Sequence, residues 1–174
     1  MFVKKSMLDL NRKPAGETRV YAVHPYLIIL DDVRSMHNVG SAFRTADSFG
    51  AAGIFLCGYT PRPPHRDIHK TALGATDSVA WQHFPDPLEA VRVARQQGYR
   101  ILAVEQAHGS VPLQKFERKQ GEQLALIFGN EVNGIGDAVL AQADGVIEIP
   151  QWGSKHSLNI SVTIGVVLWE LVRT

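Results

Sequence analysis

Cysteine is nearly missing from this chain: Cys57 stands alone, which excludes an intrachain disulfide. Its place in the apolar run Gly53-Ile-Phe-Leu-Cys57 suits a buried strand residue better than a nucleophile. Long apolar runs are missing as well. A membrane span needs roughly 18 largely apolar residues in a row, and polar residues interrupt every stretch of that length. The segment from Met1 to Leu10 carries Lys4 and Lys5 but no apolar core or cleavage pattern, so no signal peptide is read from it and a cytoplasmic protein is expected. Excess charge is absent, the net being +1, and bulk charge therefore argues neither for nor against nucleic acid. Its distribution says more. Residues 1–70 hold ten Lys/Arg against six Asp/Glu, whereas residues 71–174 hold eight against eleven. One basic face is the expectation, a modest pointer to a polyanionic partner.

Familiar chemical motifs are missing too. The loop Gly129-Asn-Glu-Val-Asn-Gly-Ile-Gly136 lacks the Lys-Ser/Thr of a P-loop, and no strand leads into Gly-x-Gly-x-x-Gly. The hydrolase elbow Gly-x-Ser-x-Gly does not occur. The seven histidines are dispersed, no cluster has metal-ligand spacing, and no metal is expected.

What is present is an alternation of apolar runs and helical patterns. With 45% apolar and 20% charged residues, 174 residues suit one soluble domain with a sizeable core. Residues 1–25 are polar and mixed, broken by Arg12-Lys13-Pro14-Ala15-Gly16, and are expected to form a short helix or an extended arm. Strands are expected at Tyr26–Leu30, Gly53–Cys57, Val79–His83, Arg100–Glu105, Leu124–Phe128 and Val146–Ile149. A helix capped by Ser35 or Asn38 runs to about Phe49, and a proline-stiffened loop from Thr60 leads to a helical turn at Lys70–Leu73. Pro85–Gln97 is amphipathic, with Leu88, Val91, Val93 and Ala94 inward, and Asp137–Gln142 is a short helix. The last helix, from near Ser157, is apolar on nearly every face, so it is expected in a deep core or at a subunit interface. Continuous apolar strands alternating with helices predict an α/β fold, a mostly parallel sheet with helices on both faces.

In such a sheet the ligand site lies beyond the carboxyl ends of the strands. Three loops there are unusually polar: Asp31 to Gly40, Gly129 to Gly136, and Trp152 to Asn159. Asn38-Val-Gly-Ser-Ala-Phe-Arg44-Thr-Ala-Asp resembles the first motif of the SpoU family of RNA ribose 2′-O-methyltransferases. Leu126-Ile-Phe-Gly-Asn-Glu131, followed by Asn133-Gly134, is similar to the second. Ile149-Pro150, then Ser157-Leu158-Asn159-Ile160-Ser161, is similar to the third. Order and spacing agree over roughly residues 26–174, and a short form without an N-terminal RNA-binding domain is the expectation.

The resemblance implies S-adenosylmethionine as methyl donor, a homodimer, an RNA substrate and a C-terminal trefoil knot. That knot runs against the general rarity of threaded chains. Backbone groups at Gly129, Ile149 and Leu158 are expected to bind the adenosyl group, with Val104 and Glu105 lining the pocket. Arg44 is expected to grip the adjoining phosphate and stabilise the developing alkoxide, since a guanidinium scarcely deprotonates. Asn38 and Asn159 would orient the ribose and Arg44, Ser157 would hydrogen-bond nearby, and Glu131 would hold Arg44 or take the proton. Arg62, Arg66 and Lys70 are candidates for an RNA phosphate track, Trp152 for stacking on a base. His37 and His156 are read as loop histidines rather than bases. So small a protein has little surface for a ribosomal target, which tilts the expectation from rRNA toward tRNA. A non-catalytic RNA-binding paralogue and a dehydrogenase are the rival readings. The motif residues are all present, against the first, and the glycine fingerprint is absent, against the second.

Overall fold

The structure is a computed structural model in which residues 2–6, 9, 22–155 and 157–173 are described. Seven strands form one sheet in the order β3-β2-β1-β6-β4-β7-β5. They are β1 (Tyr26–Asp31), β2 (Gly53–Cys57), β3 (Trp81–Phe84), β4 (Arg100–Val104), β5 (Val111–Pro112), β6 (Leu124–Phe128) and β7 (Gly145–Glu148). Every pairing is parallel; Leu27 aligns with Gly53 on one side and with Ala125 on the other. The helices are α1 (Met36–Ser48), α2 (Arg66–Ala72), α3 (Ala75–Ser78), α4 (Pro87–Gln96), α5 (Asp137–Leu140) and α6 (Ile160–Arg173).

Strand side chains alternate between faces with period two, and here both faces are dry. Tyr26, Ile28 and Leu30 of β1 join Leu124, Leu126 and Phe128 of β6 under α1, α2 and α6. Leu27 and Ile29 join Ala125 and Ile127 under α4 and α5. Continuous apolar strands in the sequence follow directly from this double coverage. Among the described residues no helix is long and apolar enough to cross a membrane.

Several details differ from the sequence expectations. Helix α1 is capped by the Ser35 side chain, which accepts from the Asn38 amide; Asn38 itself lies in the first turn. Helix α2 begins at Arg66, not Lys70, because the His65 ring accepts from the Asp67 amide and caps it. Strand β3 begins at Trp81, two residues late. Leu88 is 39% exposed, and α4 instead buries Ala90, Val91 and Ala94. Strand β5, too short to read from sequence, pairs with β7. Residues 2–6 are exposed and form no regular element. Residues 10–21, including Arg12–Gly16, lie outside the described residues, as does His156.

Helix α6 divides between the two settings expected for it. It starts at Ile160 and buries Ile160, Ile164, Val167, Leu168 and Leu171 as one stripe, and the Tyr26 hydroxyl donates to the Leu171 carbonyl at 2.7 Å. Its opposite side shows Val162, Val166 and Trp169 to solvent, Trp169 at 59%. The helix is therefore half core and half open apolar surface in the single chain.

Candidate active-site cleft

The loops after β4, β6 and β7 surround a cleft of about 640 Å³ at the carboxyl edge of the sheet. Val104, Glu105, Gly129, Glu131, Ile149, Ser157, Leu158 and Asn159 all line it. Asn38, Arg44, Arg62, Arg66 and Lys70 do not.

Two neighbours pin the loop after β6. Asn130 and Gly134 exchange both backbone hydrogen bonds at 2.9 Å. The Asn130 side chain, buried, accepts from the amides of Val132 and Asn133 and donates to the Asp32 carbonyl at 2.7 Å. Such a local side-chain turn is what asparagine does best. Asn130 was missed as a functional residue, although a lone Asn directly after an apolar strand is a turn signal. Farther along, a Glu105 carboxylate oxygen accepts from the Ile135 amide at 3.2 Å and Asp31 accepts from Gly136 at 3.1 Å. Burial pushes the Asp31 carboxyl up, with the Gly136 bond opposing. A Cβ at Gly129 would stand 2.1 Å from the Gly134 carbonyl carbon. Glycine is required there so that the chain's own return segment can approach; the close neighbour is that segment.

The first and third loops are laced to this one through a chain of side chains. Glu131 accepts from the amides of Arg34 (3.1 Å) and Ser35 (3.2 Å) and from the Asn38 side-chain amide (2.9 Å). Asn159 donates in turn to Asn38 at 3.3 Å. Its oxygen accepts from the amide and hydroxyl of Ser161, capping α6. The expectation that Glu131 holds Arg44 is thereby corrected: its carboxylate is occupied by the start of α1. Partial burial alone would raise the Glu131 carboxyl, but the bonds from Asn38, Arg34 and Ser35 outweigh it and hold it below the usual range. A carboxylate so held is a poor proton acceptor.

Arg44 is exposed on the outward side of α1 with His37 and Ser48. It makes no ion pair among the described residues, so a helix-surface salt bridge does not account for it. Arg62, Arg66 and Lys70 are exposed, with a guanidinium nitrogen of Arg62 3.2 Å from His83 Nδ1. Trp152, 90% exposed beside the cleft, does not pack against its loop. The charged lining of the cleft is entirely acidic, Glu105, Glu131, Asp137 and Glu148; no described Lys, Arg or His lines it. Such a wall favours a cationic ligand and opposes a phosphate-bearing one.

Comparison with known proteins covers most of the chain. The model of the SpoU rRNA Methylase family matches residues 25–169. The 23S rRNA (guanosine-2′-O-)-methyltransferase RlmB of Haemophilus influenzae is 32% identical over 169 residues, 95% of this chain and 66% of that protein. The AdoMet-bound rRNA methyltransferase from Sinorhizobium meliloti is 30% identical with a TM-score of 0.80, over 88% of this chain and 59% of that one. A structure described as giving insights into the 2-OH methylation of C/U34 on tRNA is 25% identical with a TM-score of 0.75, over 86% of this chain and 97% of that one. The chain thus spans about two thirds of the length of the curated relatives it matches.

Proposed function

The chain belongs to the SpoU rRNA Methylase family, and from that premise we propose that it methylates a ribose 2′-hydroxyl in RNA, with the cleft as its S-adenosylmethionine site. The observation that carries this reading is the lacing of three separate loops, Asn159 to Asn38 to Glu131, beside a cleft whose charged lining is only acidic. Its volume is in the range of small-ligand sites, about 300–1,000 Å³. Bound there, S-adenosylmethionine supplies an electrophilic methyl group on a cationic sulfur. Backbone groups at Gly129, Ile149 and Leu158 hold the adenosyl moiety, and Val104 and Glu105 form the far wall. Glu131 acts by position: it fixes Asn38 and the first turn of α1, and so sets the direction of the helix that carries Arg44. Arg44 holds the phosphate next to the reacting nucleotide and stabilises charge developing on the ribose oxygen.

Arg44 does not line the cleft of its own chain, which gives the expected homodimer a role. Val162, Val166 and Trp169 form an open apolar stripe on α6. Helix α6 packs beside α1, where the nearest atom to a Cβ placed at Gly165 is Thr45 Cγ2, at 4.0 Å. A second copy seated on that stripe would bury it and fix the surroundings of Arg44. A C-terminal trefoil knot through the cleft loops belongs to the same reading.

Between RNA classes, tRNA is favoured: the likeness to a structure concerned with C/U34 on tRNA covers 97% of that chain. The rRNA reading rests on the 23S rRNA relatives. The test is incubation of the purified protein with tRNA or 23S rRNA and methyl-labelled donor, followed by nucleoside mass spectrometry. Replacing Arg44 by Ala should abolish turnover, by about 100-fold or more, while leaving donor binding nearly intact. Unchanged methylation would remove Arg44 from the mechanism.

A further inference from the structure

Resting on the RNA reading above, we propose that Tyr59 is a stacking platform for an unpaired RNA base next to the nucleotide presented to the cleft. Tyr59 lies just past the end of β2 and is 87% exposed, and its ring makes no aromatic or cation contact among the described residues. Its backbone, by contrast, is tightly held. The Tyr59 amide donates to an Asp32 carboxylate oxygen at 2.7 Å. The preceding Gly58 has φ +58°, donates to the Phe84 carbonyl at 2.9 Å, and has its own carbonyl 3.1 Å from His83 Nε2. A Cβ at Gly58 would stand 2.1 Å from the same Asp32 oxygen, so glycine is needed at this turn. The following Thr60 is buried; its hydroxyl donates to the Leu30 carbonyl and accepts from the Val33 amide. A ring with nothing to pack on is thus carried by a turn tied to β1, β3 and the loop that leads into α1.

Position and charge say what the ring would meet. Asp31 pairs with Cys57 in register, so Tyr59 leaves the sheet at the same edge as the segment that Glu131 and Asn38 brace. Strand β2 lies two strand spacings from β6, roughly 10 Å, a distance one or two nucleotides span. Exposed Arg62 follows three residues later and reaches His83, whose ring also meets the Gly58 carbonyl, and exposed Arg66 and Lys70 come next on α2. An aromatic face flanked by cations suits single-stranded RNA, which is read by stacking on splayed bases. Holding the ring in advance lowers the ordering cost of that contact.

The test is fluorescence anisotropy of a short single-stranded RNA with wild type, Tyr59→Phe and Tyr59→Ala, alongside calorimetry with S-adenosylmethionine. Tyr59→Phe should bind like wild type. Tyr59→Ala should weaken RNA binding about 5- to 100-fold with its salt dependence unchanged, and an oligonucleotide with abasic sites should bring wild type down toward that level. Donor affinity should be the same in all three proteins. RNA binding by Tyr59→Ala within twofold of wild type would overturn the platform while leaving the methyltransferase reading standing. So would a change in its mass by light scattering, which would place residue 59 at a contact between copies. Failure of wild type to bind any RNA would overturn both.

Discussion

The two halves of the carboxyl edge differ in their balance of charge, carboxylates alone lining one while on the other cations stand among Asp32 and Asp67. Over β4, β6 and β7 the cleft is lined by four carboxylates and no described cation. Over β1 and β2 the rim bears exposed Arg34, Arg62, Arg66 and Lys70. The halves also differ in order of another kind: the loop after β6 is closed on itself and bonded to Asp31, Asp32 and Glu105, whereas the cations of the other half are exposed, Arg62 alone reaching a neighbouring ring, that of His83. The lesson is a division of labour. Under the proposed function, a cationic donor and a polyanionic acceptor need opposite fields, and each would be met on its own side of the β1–β6 boundary.

Perturbations of either half should leave the other nearly untouched. The largest effect is expected from Gly129→Ala, because the added Cβ meets backbone rather than a flexible side chain. Strain of about 1–3 kcal/mol should open the loop, lower donor affinity on the order of 10- to 100-fold by calorimetry, and change RNA affinity much less, through Glu131 alone. Paired replacement of Arg66 and Lys70 by Gln is the reciprocal experiment. RNA binding should weaken, and the slope of log affinity against log salt should fall by about 1–2, with donor affinity constant. If either variant moves both affinities equally, the two halves are not independent.

The smallest effect concerns acid. Glu131 is held below its ordinary value of 4.5 by the bonds from Asn38, Arg34 and Ser35, which outweigh its partial burial. The unfolded chain therefore takes up this proton first as pH falls. The stability Glu131 contributes is complete above its ordinary value and is lost as pH drops through the lower folded one. In urea titrations from about pH 6 downward, the difference between wild type and Glu131→Gln should shrink with acidification. A difference that grows would contradict the bonding of that carboxylate.

The strands were legible because burial on both faces leaves an unbroken apolar run, and the parallel order followed from their alternation with helices. The position of the cleft was legible for the same reason, since polar loops at strand ends stand out against such runs. What escaped depended on contacts across the chain. Helix α2 is the exception: its cap is local, the His65 ring accepting from the Asp67 amide, but histidine is not among the usual capping residues. Helix α6 was read as lying in a deep core or at a subunit interface, and the sequence alone does not separate these because apolar residues on an open face and in a core look alike. Glu131 was matched with Arg44 by motif, whereas the fold gives its carboxylate to backbone donors nearly 100 residues away. Asn130 carried only the generic turn signal of an Asn after an apolar strand, and Tyr59 carried none; one matters through its bonds and the other through lacking any for its ring.

Calorimetric titration with S-adenosylmethionine and, separately, with NAD tests the central assignment most directly. Saturable binding of the sulfonium donor that Gly129→Ala weakens, with no heat from the pyrophosphate cofactor, is the predicted result. Binding of NAD with equal affinity, or no binding of S-adenosylmethionine at all, would contradict the account.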